Sequence, residues 1–170
     1  KRSRARRNPL KTRTAFIALG IVMLATAVAV AGPTKVYEFA ESGIRFSWGK
    51  GVKISQRVAG SDALFEGRGG SVELKVIFRK GERLGTATHQ YRLMSYFAGE
   101  WNNSGESCRG KGWEQCTSWK FDSERGDRRG FADTGYGPGG TYLIVLTAPT
   151  AKYADARLSM RLLQESLELF

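Results

Sequence analysis

From Val36 onward, apolar residues recur at every second position: Tyr37 and Phe39, then Ile44, Phe46 and Trp48 beyond a Glu-Ser-Gly turn. Period-2 alternation bounded by turn residues predicts a β-hairpin. Val52, Ile54 and Val58, then Ala63 to Phe65, then Val72, Leu74, Val76 and Phe78 continue the pattern between glycine-marked turns. Four or five short antiparallel strands are expected up to Lys80. The period then changes. Ala87, Tyr91, Met94, Phe97, Ala98 and Trp101 recur every three or four residues, which predicts an amphipathic helix over 86–103, followed by a polar, glycine-rich loop from Asn102 to Gly112. Strands resume at Ser118–Phe121, Gly130–Thr134 and Thr141–Thr147, the last two joined by the glycine-rich hairpin Gly135–Gly140. Pro149 and Thr150 are placed to cap a closing helix with Tyr153, Ala156, Met160, Leu163 and Leu167 on its inner face.

Ahead of this patterned region lies a different signal, the seventeen uncharged residues from Ala15 to Ala31. As a helix they span roughly 25 Å, close to the ~30 Å of a bilayer core, and Gly32 and Pro33 end the run. A transmembrane helix with a short linker is expected over 15–34. Gly20, Ala25 and Ala27 are small residues that would let neighbouring membrane helices approach closely. The alternative is a cleavable signal peptide, because Ala27, Ala29 and Ala31 suit a signal peptidase; the run is longer than the usual ~7–15 residues of a signal core.

The net charge of +11 acquires a different meaning once divided along the chain. Lys1, Arg2, Arg4, Arg6, Arg7, Lys11 and Arg13 precede the apolar run with no acidic residue among them, which leaves only +4 for the rest. Basic residues beside a span stay cytoplasmic and are attracted to anionic lipid. The expected layout is a cytoplasmic tail over 1–14, an anchor in the bacterial inner membrane, and one periplasmic domain over 35–170. No basic stripe interleaved with stacking aromatics is present, so nucleic acid is not an expected partner. Cys108 and Cys116 are the only cysteines and fall in a polar loop. In an oxidising compartment such a pair predicts a disulfide, worth about 2.5 kcal/mol in the chain-entropy picture, with two free thiols as the alternative.

The segments EFAESGIRFSWGKGVKI, RRGFADTGYGPGGTYLIVLTAPTAKYADA and LLQESLELF resemble the PsbP-like domains, a fold shared with a yeast Ran-binding import factor and with DcrB-type envelope proteins. Gly43, Phe46, Trp48, Tyr142, Pro149, Tyr153 and Ser166 occupy the matching positions. The opening turn departs from the family pattern, with Ser47, Trp48 and Gly49 where Pro and Gly usually precede the Trp-like position. The resemblance implies an α+β fold, an αβα sandwich around a central antiparallel sheet, here preceded by one transmembrane helix. It also implies a binding role in assembling or steadying a membrane complex, a photosynthetic or electron-transfer assembly being the family's usual setting.

Catalytic chemistry has little to draw on. His89 is the single histidine, lies off the apolar stripe and has no nucleophile motif beside it, and no metal-ligand spacing is present. Asp122, Glu124, Asp127 and Asp133 alternate with basic residues and read as a solvated ion-pair surface rather than a calcium loop. Arg125, Arg128 and Arg129 could meet an acidic partner or lipid headgroups. GYGPGG resembles a phosphate loop only superficially, since no Lys-Ser/Thr follows. Asn102-Asn103-Ser104 spells a glycosylation sequon. The expectation is a non-enzymatic, cofactor-free accessory or assembly subunit docked on a larger integral membrane complex; the alternative is a stand-alone, membrane-anchored periplasmic ligand-binding or envelope-stress protein.

Overall fold

The computed structural model describes residues 34–60, 62–85, 88 and 98–170. Strands β1 (Thr34–Phe39) and β2 (Ile44–Gly49) pair antiparallel around a single 3-10 turn over Ala40–Ser42. Gly43 closes that turn at φ 57, and a Cβ there would overlap the Phe170 carbonyl oxygen, so the position needs glycine on two counts. The alternation read from the sequence is realised along β2: Ile44, Phe46 and Trp48 are buried and the residues between them are half-exposed.

Seven further strands form the main sheet: β3 (Ile54–Ala59), β4 (Asp62–Gly69), β5 (Val72–Lys80), β6 (Gly99–Asn103), β7 (Gln115–Ser123), β8 (Arg128–Gly137) and β9 (Gly140–Pro149). Their spatial order is β3-β4-β5-β9-β8-β7-β6, and every neighbouring pair is antiparallel. The chain thus builds one meander from each edge, and the two meet where β9 pairs with β5. β9 lies at the centre with both faces covered, which explains why Leu143, Ile144, Val145 and Leu146 run without a polar interruption.

After β9 a 3-10 turn over Thr150–Lys152 leads into helix α1 (Tyr153–Glu165), and the short strand β10 (Glu168–Leu169) then pairs with β2 to complete a small sheet ordered β1-β2-β10. Ala156, Met160 and Leu163 of α1 are buried, with Leu167 just beyond it. The helix and the small sheet pack on one face of the main sheet, forming a core with Phe65, Leu74, Val76, Phe78, Phe131, Tyr142, Ile144 and Leu146. A second apolar cluster of Trp101, Trp119, Phe121, Ala132, Leu143 and Val145 lies on the opposite face.

Three expectations are corrected. The predicted helix over 86–103 does not extend to its end: Gly99–Asn103 is strand β6, because Trp101 packs on Phe121 of β7 with ring centroids 4.4 Å apart and the strand pairs along its whole length. Thr150 does not cap α1; its hydroxyl donates to the Gly126 carbonyl at 2.7 Å, tying the helix entry to the β7–β8 turn. The Gly135–Gly140 hairpin loop shrinks to Pro138 and Gly139, as Gly135, Tyr136 and Gly137 belong to β8 and Gly137 pairs with Gly140. Among the described residues no helix is long and apolar enough to cross a membrane. The apolar run Ala15–Ala31, with Gly20, Ala25 and Ala27, the basic tail, and most of the amphipathic stripe with His89 lie outside the described residues.

Candidate functional site

The most unusual polar arrangement arises from the pleat of β8. Successive side chains alternate faces, so Phe131 and Asp133 project toward α1 while Ala132 projects into the second cluster. Asp133 is wholly buried, contrary to its expected place on an ion-pair surface. The strand alternation that buries Phe131 carries Asp133 inward with it, and the charged neighbours in sequence face elsewhere. Opposite Asp133 in the ladder stands buried Ser118, and opposite Gly135 stands Cys116, both on β7. From above, the last turn of α1 lowers buried Gln164, whose Nε2 donates to Asp133 Oδ2 at 2.6 Å. The other carboxylate oxygen, Oδ1, has no hydrogen-bond partner among the described residues.

Cys108 and Cys116 are joined in a disulfide with their Cα atoms 6.1 Å apart. Cys116 is already part of strand β7 rather than of the loop, while Cys108 lies in the irregular segment before it. The Asp133 carboxylate and both sulfurs lie within 4.8 Å of one another. These are three metal-ligating residue types, but sulfurs bonded to each other are not thiolates and cannot ligate as such. Burial pushes the Asp133 carboxyl up to about 6, against the opposing influence of Ser118, Gln164 and Arg109. The Ser118 side chain lies at hydrogen-bonding reach of the carboxyl and favours its charged form, less than burial disfavours it.

The remaining candidate residues are dispersed. Arg128 and Arg129 are consecutive on β8 and therefore face opposite sides: Arg128 bonds Glu73 Oε2 and Thr147 Oγ1, each at 2.7 Å, whereas Arg129 pairs with Asp122 and lies over the Tyr153 ring. Arg125 is exposed in the β7–β8 turn. In the same turn Asp127 accepts from the Ser123 hydroxyl at 2.7 Å, which holds its carboxyl below the usual range. Asp122, Asp127 and Asp133 thus have separate surroundings and do not converge on one point. Asn102 and Asn103 are exposed on edge strand β6.

The positions behind the family resemblance are architectural. The Tyr142 hydroxyl donates to the Ser42 carbonyl at 2.6 Å, and burial raises its pKa to about 12. Ser166 ends α1 and accepts from the Ser47 amide at 2.9 Å, which fastens the helix terminus to β2. Phe46 and Trp48 are in the core, Pro149 ends β9, and Tyr153 packs against Phe131.

The arrangement of a seven-stranded antiparallel sheet carrying a C-terminal helix and a small N-terminal sheet on one face has a solved counterpart. The solution structure of cyanobacterial PsbP (CyanoP) from Synechocystis sp. PCC 6803 superposes with a TM-score of 0.55 at 15% identity, covering 84% of this chain and 96% of that one. The fold is PsbP-like. No protein-family model and no curated protein sequence matches the chain.

Proposed function

We propose that this chain is a non-enzymatic, single-span accessory or assembly subunit of a larger integral membrane complex, with its PsbP-like domain docked on the periplasmic face. The observation that carries the reading is the distance along the chain between the two parts. Strand β1 opens at Thr34, so only Gly32 and Pro33 separate the domain from the apolar run ending at Ala31. Three extended residue steps reach at most about 10 Å. A membrane-inserted helix would therefore hold the domain against the bilayer surface, at high effective concentration toward any partner in the same membrane. The basic tail would remain cytoplasmic, against anionic lipid. An αβα sandwich belongs to the same proposal. The PsbP-like fold is consistent with a photosynthetic or electron-transfer host.

Gly20→Leu in the full chain tests the anchored-subunit reading. It should reduce co-purification with the host complex several-fold while leaving the amount of membrane-bound, folded protein unchanged. Undiminished co-purification would remove the proposed helix contact.

A further inference from the structure

The segment between the two cysteines is fastened without their bond. Lys111 N–H donates to the Leu167 carbonyl at 2.9 Å, Leu169 N–H donates to the Lys111 carbonyl at 3.0 Å, and Glu114 N–H donates to the Tyr136 carbonyl at 3.0 Å. The Trp113 indole Nε1 donates to the Arg109 carbonyl at 3.1 Å and its ring packs edge-on against Tyr142. Gly112, at φ 85, lets the loop lie directly on the Leu169 backbone. These bonds would keep residues 109–114 in place with the disulfide open, and Cys116 is held in strand β7.

Among the described residues no donor reaches Asp133 Oδ1, which leaves a buried acceptor uncompensated. When the disulfide is reduced, a cysteine S–H becomes available as a donor within the same cluster. The groups facing this carboxylate are Ser118 from β7, Gln164 from α1, and Arg109 and Glu106 from the segment before β7; Arg109 is itself paired with Glu165 at 2.9 Å and Glu106 at 3.8 Å. Both cysteines are half-exposed, whereas the carboxylate beside them is buried.

We propose that Cys108–Cys116 is a stoichiometric thiol–disulfide exchange site, with Asp133 as its internal proton acceptor and donor and an external thiol as its exchange partner. An incoming thiolate forms a mixed disulfide with one cysteine and breaks the Cys108–Cys116 bond. The other cysteine leaves as a thiolate and takes the proton of the Asp133 carboxylic acid. A second external thiolate attacks the external sulfur of the mixed disulfide and expels the remaining cysteine as a thiolate, which takes its proton from solvent, so two external thiolates are oxidised to one disulfide and the cystine is reduced to two thiols by two electrons. In the reverse direction ionised Asp133 removes a proton from a cysteine S–H, the resulting thiolate attacks the external disulfide to form a mixed disulfide and release one external thiolate, and the second cysteine, as its thiolate, displaces the other and re-forms the Cys108–Cys116 bond. Burial places the carboxyl's titration at about 6, where it can act in both directions.

The test uses the full chain in detergent micelles, reduced by glutathione and reoxidised by oxidised glutathione from about pH 5 to about pH 8, the range that brackets the carboxyl's titration. The thiols are counted by alkylation and mass, and tryptophan fluorescence reports that the chain stays folded. Wild type should be reduced while folded, and its reoxidation rate, corrected for ordinary thiol ionisation, should show one break between about pH 5 and about pH 8, where the carboxyl beside the two thiols titrates. Asp133→Asn, which keeps an acceptor for Gln164, should lose the break and reoxidise about tenfold more slowly at about pH 7. Gln164→Leu, which removes a donor to the carboxylate, should move the break to higher pH; it decides the matter if Asp133→Asn does not fold. Reduction only upon unfolding, or an unchanged pH profile in whichever of these variants folds, overturns the proposal.

Discussion

Replacing Asp133 by Asn isolates the energetic consequence of a buried carboxyl. In the folded chain burial holds its pKa at about 6, whereas an unfolded chain releases the same proton at about 3.9. Between those values the folded state binds more protons than the unfolded state, so stability falls as pH rises from about 4 to about 6. A displacement from about 3.9 to about 6 corresponds to about 3 kcal/mol, reached in full above the folded pKa. Because the group is buried, solvent screening does not reduce this figure substantially. The amide of the variant could still accept from Gln164, and it carries no charge at any pH. The expectation is therefore not a fixed stability difference between the proteins but one that grows in favour of Asp133→Asn by about 3 kcal/mol between about pH 4 and about pH 7.5. Urea unfolding of the disulfide-intact full chain in detergent, at half-unit pH steps, measures it directly. A difference between wild type and variant that stays constant within about 0.5 kcal/mol, on the order of the extrapolation error, would refute the argument that burial dominates this site.

Tyr142→Phe removes the bond to the Ser42 carbonyl from a fully buried position and should destabilise by about 1–3 kcal/mol in the same urea assay. Gly43→Ala combines a left-handed backbone with overlap against the Phe170 carbonyl; it should cost more than ~1 kcal/mol and detach the C-terminal strand, read as faster amide exchange at Phe170. Met160→Ala opens a cavity under α1 and should lower stability by about 2–5 kcal/mol, with little change expected from an exposed helix position such as Leu158→Ala.

Much of the framework could be read from alternation alone. Ile44, Phe46 and Trp48, the even positions from Val72 to Phe78, and the inner face of α1 all follow the period that the sequence displays, because one-sided burial imposes it. The strand β6 could not be read this way: Trp101 continues a helical spacing that starts at Ala87, and a short strand at a sheet edge carries too little pattern to override it. Asp133 was hidden by its neighbours in sequence, since Arg128, Arg129 and Asp127 suggest a charged surface. The signal that could have placed it was the phase of β8, in which Phe131 and Asp133 share a face. Gln164 likewise sits beside Leu163 on the buried edge of α1, where a glutamine reads as surface until its partner is known. Contacts distant in sequence, such as Gln164 with Asp133 and Ser166 with Ser47, leave no local trace at all.

The central claim, that this domain works as part of a membrane assembly, is tested most directly by gentle detergent extraction of native membranes followed by native-gel and size-exclusion separation. The account predicts that the full chain migrates with a complex far larger than its own 18.8 kDa, and that deletion of residues 1–34 releases it from that complex. Migration of the full chain as a free 18.8 kDa species in its micelle, or undiminished association after the deletion, would contradict it.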